Sequence, residues 1–182
     1  MTRIATPATV AQAPAASQPL LETVNQQLGV VPNQFRMVGN SPAALEGCLS
    51  LKGALGKGEL SAQTRERIAL AVAEVNGCDY CLSAHIYFAR NVAKLDDAEI
   101  TANRNGGSND PHAAAAVLFA KRVADARGRV SDADLSAVKA AGYSEAAVIE
   151  IVANVALNIW TNYVNEVAGT AIDFPVVHTR KA

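Results

Sequence analysis

The stretch AEVNGCDYCLSAH, residues 73–85, joins the end of one helical pattern to the start of another and places two thiols and an imidazole in the second. Upstream of it, Ile68-Ala69-Leu70-Ala71-Val72-Ala73 is an unbroken apolar run, and Asn76-Gly77 supplies the left-handed conformation that ends such a helix. Cys78 then stands at a helix opening. Cys81 follows at i+3 and His85 at i+7, so both sulfurs and the imidazole share one helix face. No strand-helix-strand pattern surrounds this CxxC, which argues against a thioredoxin fold.

Outward from this corner the periodicity stays helical from Leu20 onward, and no region alternates as a half-buried strand does. Helices are predicted over 20–28, 33–38, 41–56, 61–75, 78–93, 96–103, 111–127, 131–141 and 144–168. Ser41 before Pro42, and Ser61, Ser131 and Ser144, read as N-caps; Gly128 and Gly142 close helices. Asn105-Gly106-Gly107-Ser108-Asn109 reads as a flexible loop, with Asp110-Pro111 starting the next helix. The fold class is therefore all-α, a single-domain helical bundle over 20–175. Residues 1–19, with Pro7, Pro14 and Pro19, read as an extended arm laid on a neighbouring subunit or left disordered, and 176–182 as a loose tail.

Composition narrows the function classes. Sixteen basic and seventeen acidic residues leave a net charge of −1, which provides no electrostatic footprint for nucleic acid or an anionic membrane. No segment reads as a transmembrane span of about 20 apolar residues, and the N-terminus lacks the apolar stretch of a secretory signal. Three cysteines are too few for a disulfide framework, so the CxxC points to catalysis or metal binding in a reducing cytoplasm.

The helix opening predicts that Cys78 is more acidic than a free thiol, because unpaired amides and the helix dipole favour a thiolate there. Cys81 has a different asset in His85, four residues on, which can take its proton. On these grounds either sulfur can be the nucleophile. Tyr80, between them, either offers its hydroxyl to a bound oxyanion or packs. Arg65-Glu66-Arg67 is either a salt-bridged surface turn or the source of a carboxylate for His85, and Glu74 is the rival carboxylate. In the last helix Asn154, Asn158 and Asn162 form a polar stripe among apolar residues, at an oligomer interface or beside the CxxC helix. Trp160 and Tyr163 read as core or interface anchors. Cys48 reads as a small buried hydrophobe, His112 as solvent-facing and His178 as part of the loose tail.

Glu66, eleven intervening residues, Cys78-x-x-Cys81 and then His85 together resemble the active-site signature of the alkylhydroperoxidase D-like branch of the carboxymuconolactone decarboxylase superfamily. LGVVPNQFRMVGNSPAALEG (28–47) resembles that family's opening region, and NIWTNYVNEVAGTAIDFP (158–175) the closing helix of its peroxidase-related members. The resemblance implies a helical fold assembled as a homo-trimer or hexamer that reduces hydroperoxides with electrons from a thiol reductant, lipoamide- or thioredoxin-like, without a further cofactor. It implies that Cys81 attacks the peroxide and Cys78 resolves the sulfenic acid as a disulfide, with His85 accepting the Cys81 proton and Glu66 continuing the relay. The best-known members carry a histidine just before the second cysteine, where this chain has Tyr80. The superfamily's decarboxylases lack the cysteine pair. A disulfide reductase or carrier serving a lipoamide or protein partner is the alternative function. A non-redox zinc site using Cys78, Cys81 and His85 is a third reading.

Overall fold

The computed structural model describes residues 2–180, and every regular element within them is helical. In chain order the α-helices are α1 (Gln18–Leu28), α2 (Asn33–Val38), α3 (Pro42–Leu55), α4 (Ala62–Asn76), α5 (Asp79–Asn91), α6 (Asp97–Arg104), α7 (Pro111–Asp125), α8 (Asp132–Ala140) and α9 (Glu145–Ala168). Each matches a predicted helix, with boundaries moved by two residues at most. The predicted caps act as such: Ser61 Oγ accepts from the Thr64 amide at 3.1 Å, and Ser144 Oγ from that of Ala147 at 2.9 Å. Ser131 and Asp134 form a reciprocal capping box.

Helix α4 is the hub, packed against α5, α6, α7 and α9. Its Ile68, Leu70 and Val72 are fully buried, each burial stabilising the fold by about 1.5–3 kcal/mol. Ile68 and Val72 join Phe119, Ile151 and Val155 in one core cluster. Leu70 and Ala73 join Cys78, Tyr80, Cys81 and Leu82 in a second. The apolar run thus holds the CxxC helix on one side and the bundle on the other. A third cluster gathers Leu21, Phe35 and Leu45, with Trp160 against it.

Three segments differ from their sequence reading. The 105–109 loop is fastened: the Asn109 amide donates to Glu99 Oε2 at 2.7 Å, the Ser108 hydroxyl donates to Oε1, and Asn103 Nδ2 donates to the Gly107 carbonyl at 2.9 Å. A buried carboxylate needs several donors, and the loop supplies two of them. The N-terminal arm carries short 3-10 turns at Val10–Gln12 and Ala15–Ser17 and lies on the chain's own body. There the Arg3 amide donates to the Ala168 carbonyl at 2.7 Å and Ser17 Oγ to that of Gly39 at 2.7 Å. Residues 177–180 of the tail are pinned rather than loose, by bonds to Ser83, Asp79 and Glu74, and residues 181 and 182 lie outside the described residues.

Helix α9, 24 residues long, is apolar enough to cross a membrane by length and composition, contrary to the sequence expectation. Its packing gives the hydropathy another origin: Ile151 and Val155 are core residues, and the helix lies against α3, α4, α5, α7 and α8.

Candidate active site

Gly77, at φ +71°, turns α4 into α5 through a left-handed joint that favours glycine, and Cys78 is the N-cap of α5. Its Sγ accepts from the Cys81 amide at 3.3 Å. Both thiols are free and buried, with 0 % and 1 % exposure. Asn165 Nδ2 donates to Cys81 Sγ at 3.2 Å and to Gln34 Oε1 at 2.9 Å. Asn76 Nδ2 donates to Asn162 Oδ1 at 2.8 Å.

These surroundings separate the two thiols. Burial by itself raises the Cys81 thiol. The hydrogen bond from Cys78, the charge of His85 and the Asn162 and Asn165 carboxamides outweigh it and hold Cys81 below the ordinary range. Cys78 is held far above that range, first by donating its proton to Cys81 and then by burial. This overturns the expectation that the helix opening acidifies Cys78. The helix start offers its sulfur one amide, whereas complete burial beside a more acidic thiol opposes a second charge.

His85 Nδ1 lies 2.9 Å from Glu66 Oε2, so Glu66 is the carboxylate that reaches the imidazole. Burial disfavours the imidazolium, but the Glu66 charge and hydrogen bond outweigh it and raise the His85 pKa. With Nδ1–H donated to Glu66, Nε2 is the nitrogen left to exchange protons. The neighbours of Glu66 turn elsewhere: Arg65 donates to the Leu60 carbonyl, and Arg67 Nε pairs with Glu99 at 2.6 Å. Glu74 serves as a structural partner, pairing with Arg104 Nε at 2.8 Å and accepting from the Arg180 amide at 2.7 Å.

The Tyr80 hydroxyl donates to Asp173 Oδ1 at 2.9 Å and accepts from the Gln34 amide at 3.0 Å. Burial raises its pKa, and its ring meets Phe174 edge to face at 5.9 Å. Tyr80 thereby ties α2, α5 and the segment after α9 together, with its proton committed to a carboxylate. Tyr80, Glu66 and His85 line a cavity of about 250 Å³ whose wall also includes Phe35, Phe88 and Phe174. Cys78 and Cys81, both buried, are not among the residues that line it.

The asparagine stripe divides. Asn154 and Asn158 line the cavity and donate to carbonyls one turn back in α9, whereas Asn162 accepts from Asn76 and helps to lower the Cys81 thiol. Asn165 extends the stripe by one further step. The signal was present, since Asn165 continues the helical face at i+3 from Asn162. Gln34 and Asp173 carried no local signal. Cys48 lines the cavity, its thiol raised by burial. Tyr163 is 57 % exposed. Exposed His112 stacks on Tyr143 at 4.2 Å, and His178 Nδ1 lies 2.7 Å from Asp79 Oδ2. Among the described residues no group of three or more His, Cys, Asp or Glu side chains is arranged to hold a metal ion.

Residues 42–126 match the carboxymuconolactone decarboxylase family. The chain matches no curated protein. Among solved structures it is similar to an alkylhydroperoxidase core protein, an uncharacterized peroxidase-related protein from Ralstonia eutropha JMP134. That likeness has 26 % identity over 94 % of this chain and 92 % of the other, with a TM-score of 0.82. A peroxidase-related protein from Silicibacter sp. TM1040 is 23 % identical over 93 % and 91 % of the two chains, at 0.80. A cysteine-substituted form of the debrominase Bmp8, bound to 2,3,4-tribromopyrrole, shares the fold at 22 % identity over 95 % and 93 %, at 0.80.

Proposed function

We propose that this chain, which belongs to the alkylhydroperoxidase D and carboxymuconolactone decarboxylase superfamily, is a thiol-dependent peroxidase that reduces organic hydroperoxides through Cys81 and Cys78. The observation that carries this reading is the Glu66–His85 contact at 2.9 Å, on the helix whose buried thiol pair has Cys81 as its acidic member.

The Cys81 thiol gives its proton to His85 Nε2, and the thiolate attacks the terminal oxygen of the hydroperoxide. The O–O bond breaks, Cys81 becomes a sulfenic acid, and the departing alkoxide takes the proton from His85 to leave as an alcohol. Glu66 holds the imidazole and steadies its charge between these transfers. Loss of the Cys81 thiolate removes the main cause of the high Cys78 pKa. The Cys78 sulfur then displaces the hydroxyl as water and forms the Cys78–Cys81 disulfide. A dithiol donor, lipoamide- or thioredoxin-like, returns the pair to thiols, and a cytoplasmic setting supplies such donors.

One equivalent of cumene hydroperoxide added to the reduced protein should remove two hydrogens by intact mass, mapped to Cys78 and Cys81, and Cys81→Ser should abolish peroxide consumption. An unreactive wild-type protein overturns the reading.

A second reading follows from the largely apolar cavity together with the fold shared with a debrominase. The same thiol pair would reduce a carbon–bromine bond: the carbon takes one thiol proton in place of bromine, bromide leaves with the other proton, and the two sulfurs join as a disulfide. Turnover of 2,3,4-tribromopyrrole against cumene hydroperoxide separates the two reactions. Equal slowness with both favours instead a disulfide carrier serving a lipoamide or protein partner.

Assembly as a homo-trimer or hexamer is part of the proposal. Its support is an apolar line on the open face of α9: Ile149, Val152, Tyr163 and Val167, exposed by 69 %, 43 %, 57 % and 62 %. Light scattering on the purified protein tests it, and a monomer at micromolar concentration overturns it.

A further inference from the structure

Two carboxamides of α9, a helix outside the CxxC motif, bear on the Cys81 thiol: Asn165 by a direct hydrogen bond and Asn162 by favouring its charged form. Asn165 Nδ2 divides its hydrogens between Cys81 Sγ at 3.2 Å and Gln34 Oε1 at 2.9 Å. Asn76 Nδ2 occupies Asn162 Oδ1 at 2.8 Å and so fixes which way the Asn162 amino group points. Asn162 is 0 % and Asn165 2 % exposed. Asn162 Nδ2 and Asn165 Oδ1, one donor and one acceptor, have no hydrogen-bond partner among the described residues. Buried polar atoms are seldom left open, and one open donor with one open acceptor is the complement of a hydroxyl group, which both donates and accepts.

We propose that Asn162 and Asn165 form a carboxamide cradle that holds the Cys81 thiolate before oxidation and the hydroxyl of its sulfenic acid afterwards. The thiolate half stands alone; the sulfenic half rests on the peroxidase reading. In the reduced protein Asn165 Nδ2 donates to the sulfur, and the Asn162 amino group, with no partner of its own among the described residues, favours the charged form of the thiol beside it. When the thiolate takes the terminal OH of a hydroperoxide and the O–O bond breaks, the alkoxide leaves with the His85 proton. The new S–O–H group then presents one acceptor and one donor. Asn162 Nδ2 donates to its oxygen, and Asn165 Oδ1 accepts its hydrogen. The hydroxyl stays so held until the Cys78 sulfur expels it as water. Asn162 and Asn165 act at the reacting atoms, and Asn76 is a positioning residue that acts through Asn162.

The test is the pH titration of the Cys81 thiolate, read as the ultraviolet thiolate absorbance that disappears in Cys81→Ser. Asn162→Leu and Asn165→Leu should each raise the midpoint by about one pH unit, a tenfold loss of thiolate below it. Asn76→Ala should shift it in the same direction by less. Asn165→Asp keeps the shape but sets an anion beside the sulfur, and should raise the midpoint furthest. In a Cys78→Ser background, where the sulfenic acid persists, dimedone labelling after cumene hydroperoxide should show a shorter lifetime once Asn162→Leu is added. Folded leucine variants with the wild-type midpoint overturn the cradle. If they do not fold, Asn76→Ala and Asn165→Asp decide by the same titration, and unchanged midpoints overturn it equally. If wild-type Cys81 ignores the peroxide, the peroxidase reading and the sulfenic half fall, while the titration still decides the thiolate half.

Discussion

Cys78 and Cys81 carry the same side chain three residues apart, yet their surroundings push the two thiols in opposite directions. A thiolate placed on either sulfur makes a second one on its neighbour costly, so donors other than the helix start decide which holds the charge. Cys81 has His85 and two carboxamides, whereas Cys78 has one backbone amide. His85 depends in turn on Glu66. Glu66→Gln removes the charge that raises the His85 pKa, so an NMR titration of His85 should move to lower pH. With the peroxidase reading, kcat/KM for cumene hydroperoxide should fall by roughly 10²-fold. An unmoved His85 titration counts against Glu66 as its partner in solution. The sign for stability follows from the raised pKa: the Glu66–His85 contribution is full below the unfolded histidine value of about 6.5 and is lost as pH rises through the folded value. Much of this was legible in the sequence, because Glu66, Cys78, Cys81 and His85 stand at helical spacings around one corner. The cradle was hidden, since Asn165 lies 84 positions from Cys81 and only the packing of α9 on α5 brings them together.

The elements were legible because the apolar periodicity agrees with the caps, serines at α3, α4, α8 and α9 among them, and their ends move by two residues at most. Side-chain ties that convert a loop into structure were not. Glu99, on α6, is the plainest case, collecting Arg67 from α4, Asn103 from its own helix, and Ser108 and Asn109 from the loop. Burial opposes its charge, yet these donors outweigh the burial and lower its pKa to about 2. A depressed carboxylate stabilises the fold above its unfolded pKa, and that stabilisation is lost as pH falls from about 4.5 towards 2. The shift corresponds to about 3 kcal/mol. Glu99→Gln should therefore lower Tm at neutral pH by about 10 °C, with the gap to wild type narrowing in acid. An equal Tm would show that the loop is held by other means. Gly77 is a second element-scale device. A Cβ there meets nothing nearer than Thr179 Oγ1 at 4.0 Å, so Gly77→Ala is strained by its φ of +71° and not by a clash. It should cost about 1–2 kcal/mol in denaturant midpoint. A neutral result would mean that the α4–α5 corner relaxes out of the left-handed region.

Across the whole molecule, the sulfur pair is enclosed from two sides by different parts of the chain. On the cavity side stand Tyr80, Ala84 and His85. On the other, residues 177–180 form a strap over the α4–α5 corner, which the sequence read as loose because nothing in Val177-His178-Thr179-Arg180 announces a partner. The strap is held at successive points. The Val177 amide donates to Ser83 Oγ at 3.0 Å, that of Thr179 to Asp79 Oδ1 at 2.8 Å, and that of Arg180 to Glu74 Oε1 at 2.7 Å. His178 pairs with Asp79, and Val177 packs on the cluster that contains Cys78 and Cys81. Asp79 accepts more of these bonds than any other side chain and lies beside Cys78, so its loss should free the strap while the helices remain. Asp79→Ala is expected to keep the wild-type far-ultraviolet circular dichroism and to speed maleimide labelling of Cys78, mapped by peptide mass, roughly tenfold, because local opening sets the labelling rate of a buried thiol. With the peroxidase reading, once the pair has been oxidised the same variant should accelerate its reduction by a protein dithiol more than by dithiothreitol, since only the larger donor needs the strap moved aside. If both rates match wild type, the sulfurs are approached from the cavity instead, past His85, and the strap serves only to brace the corner.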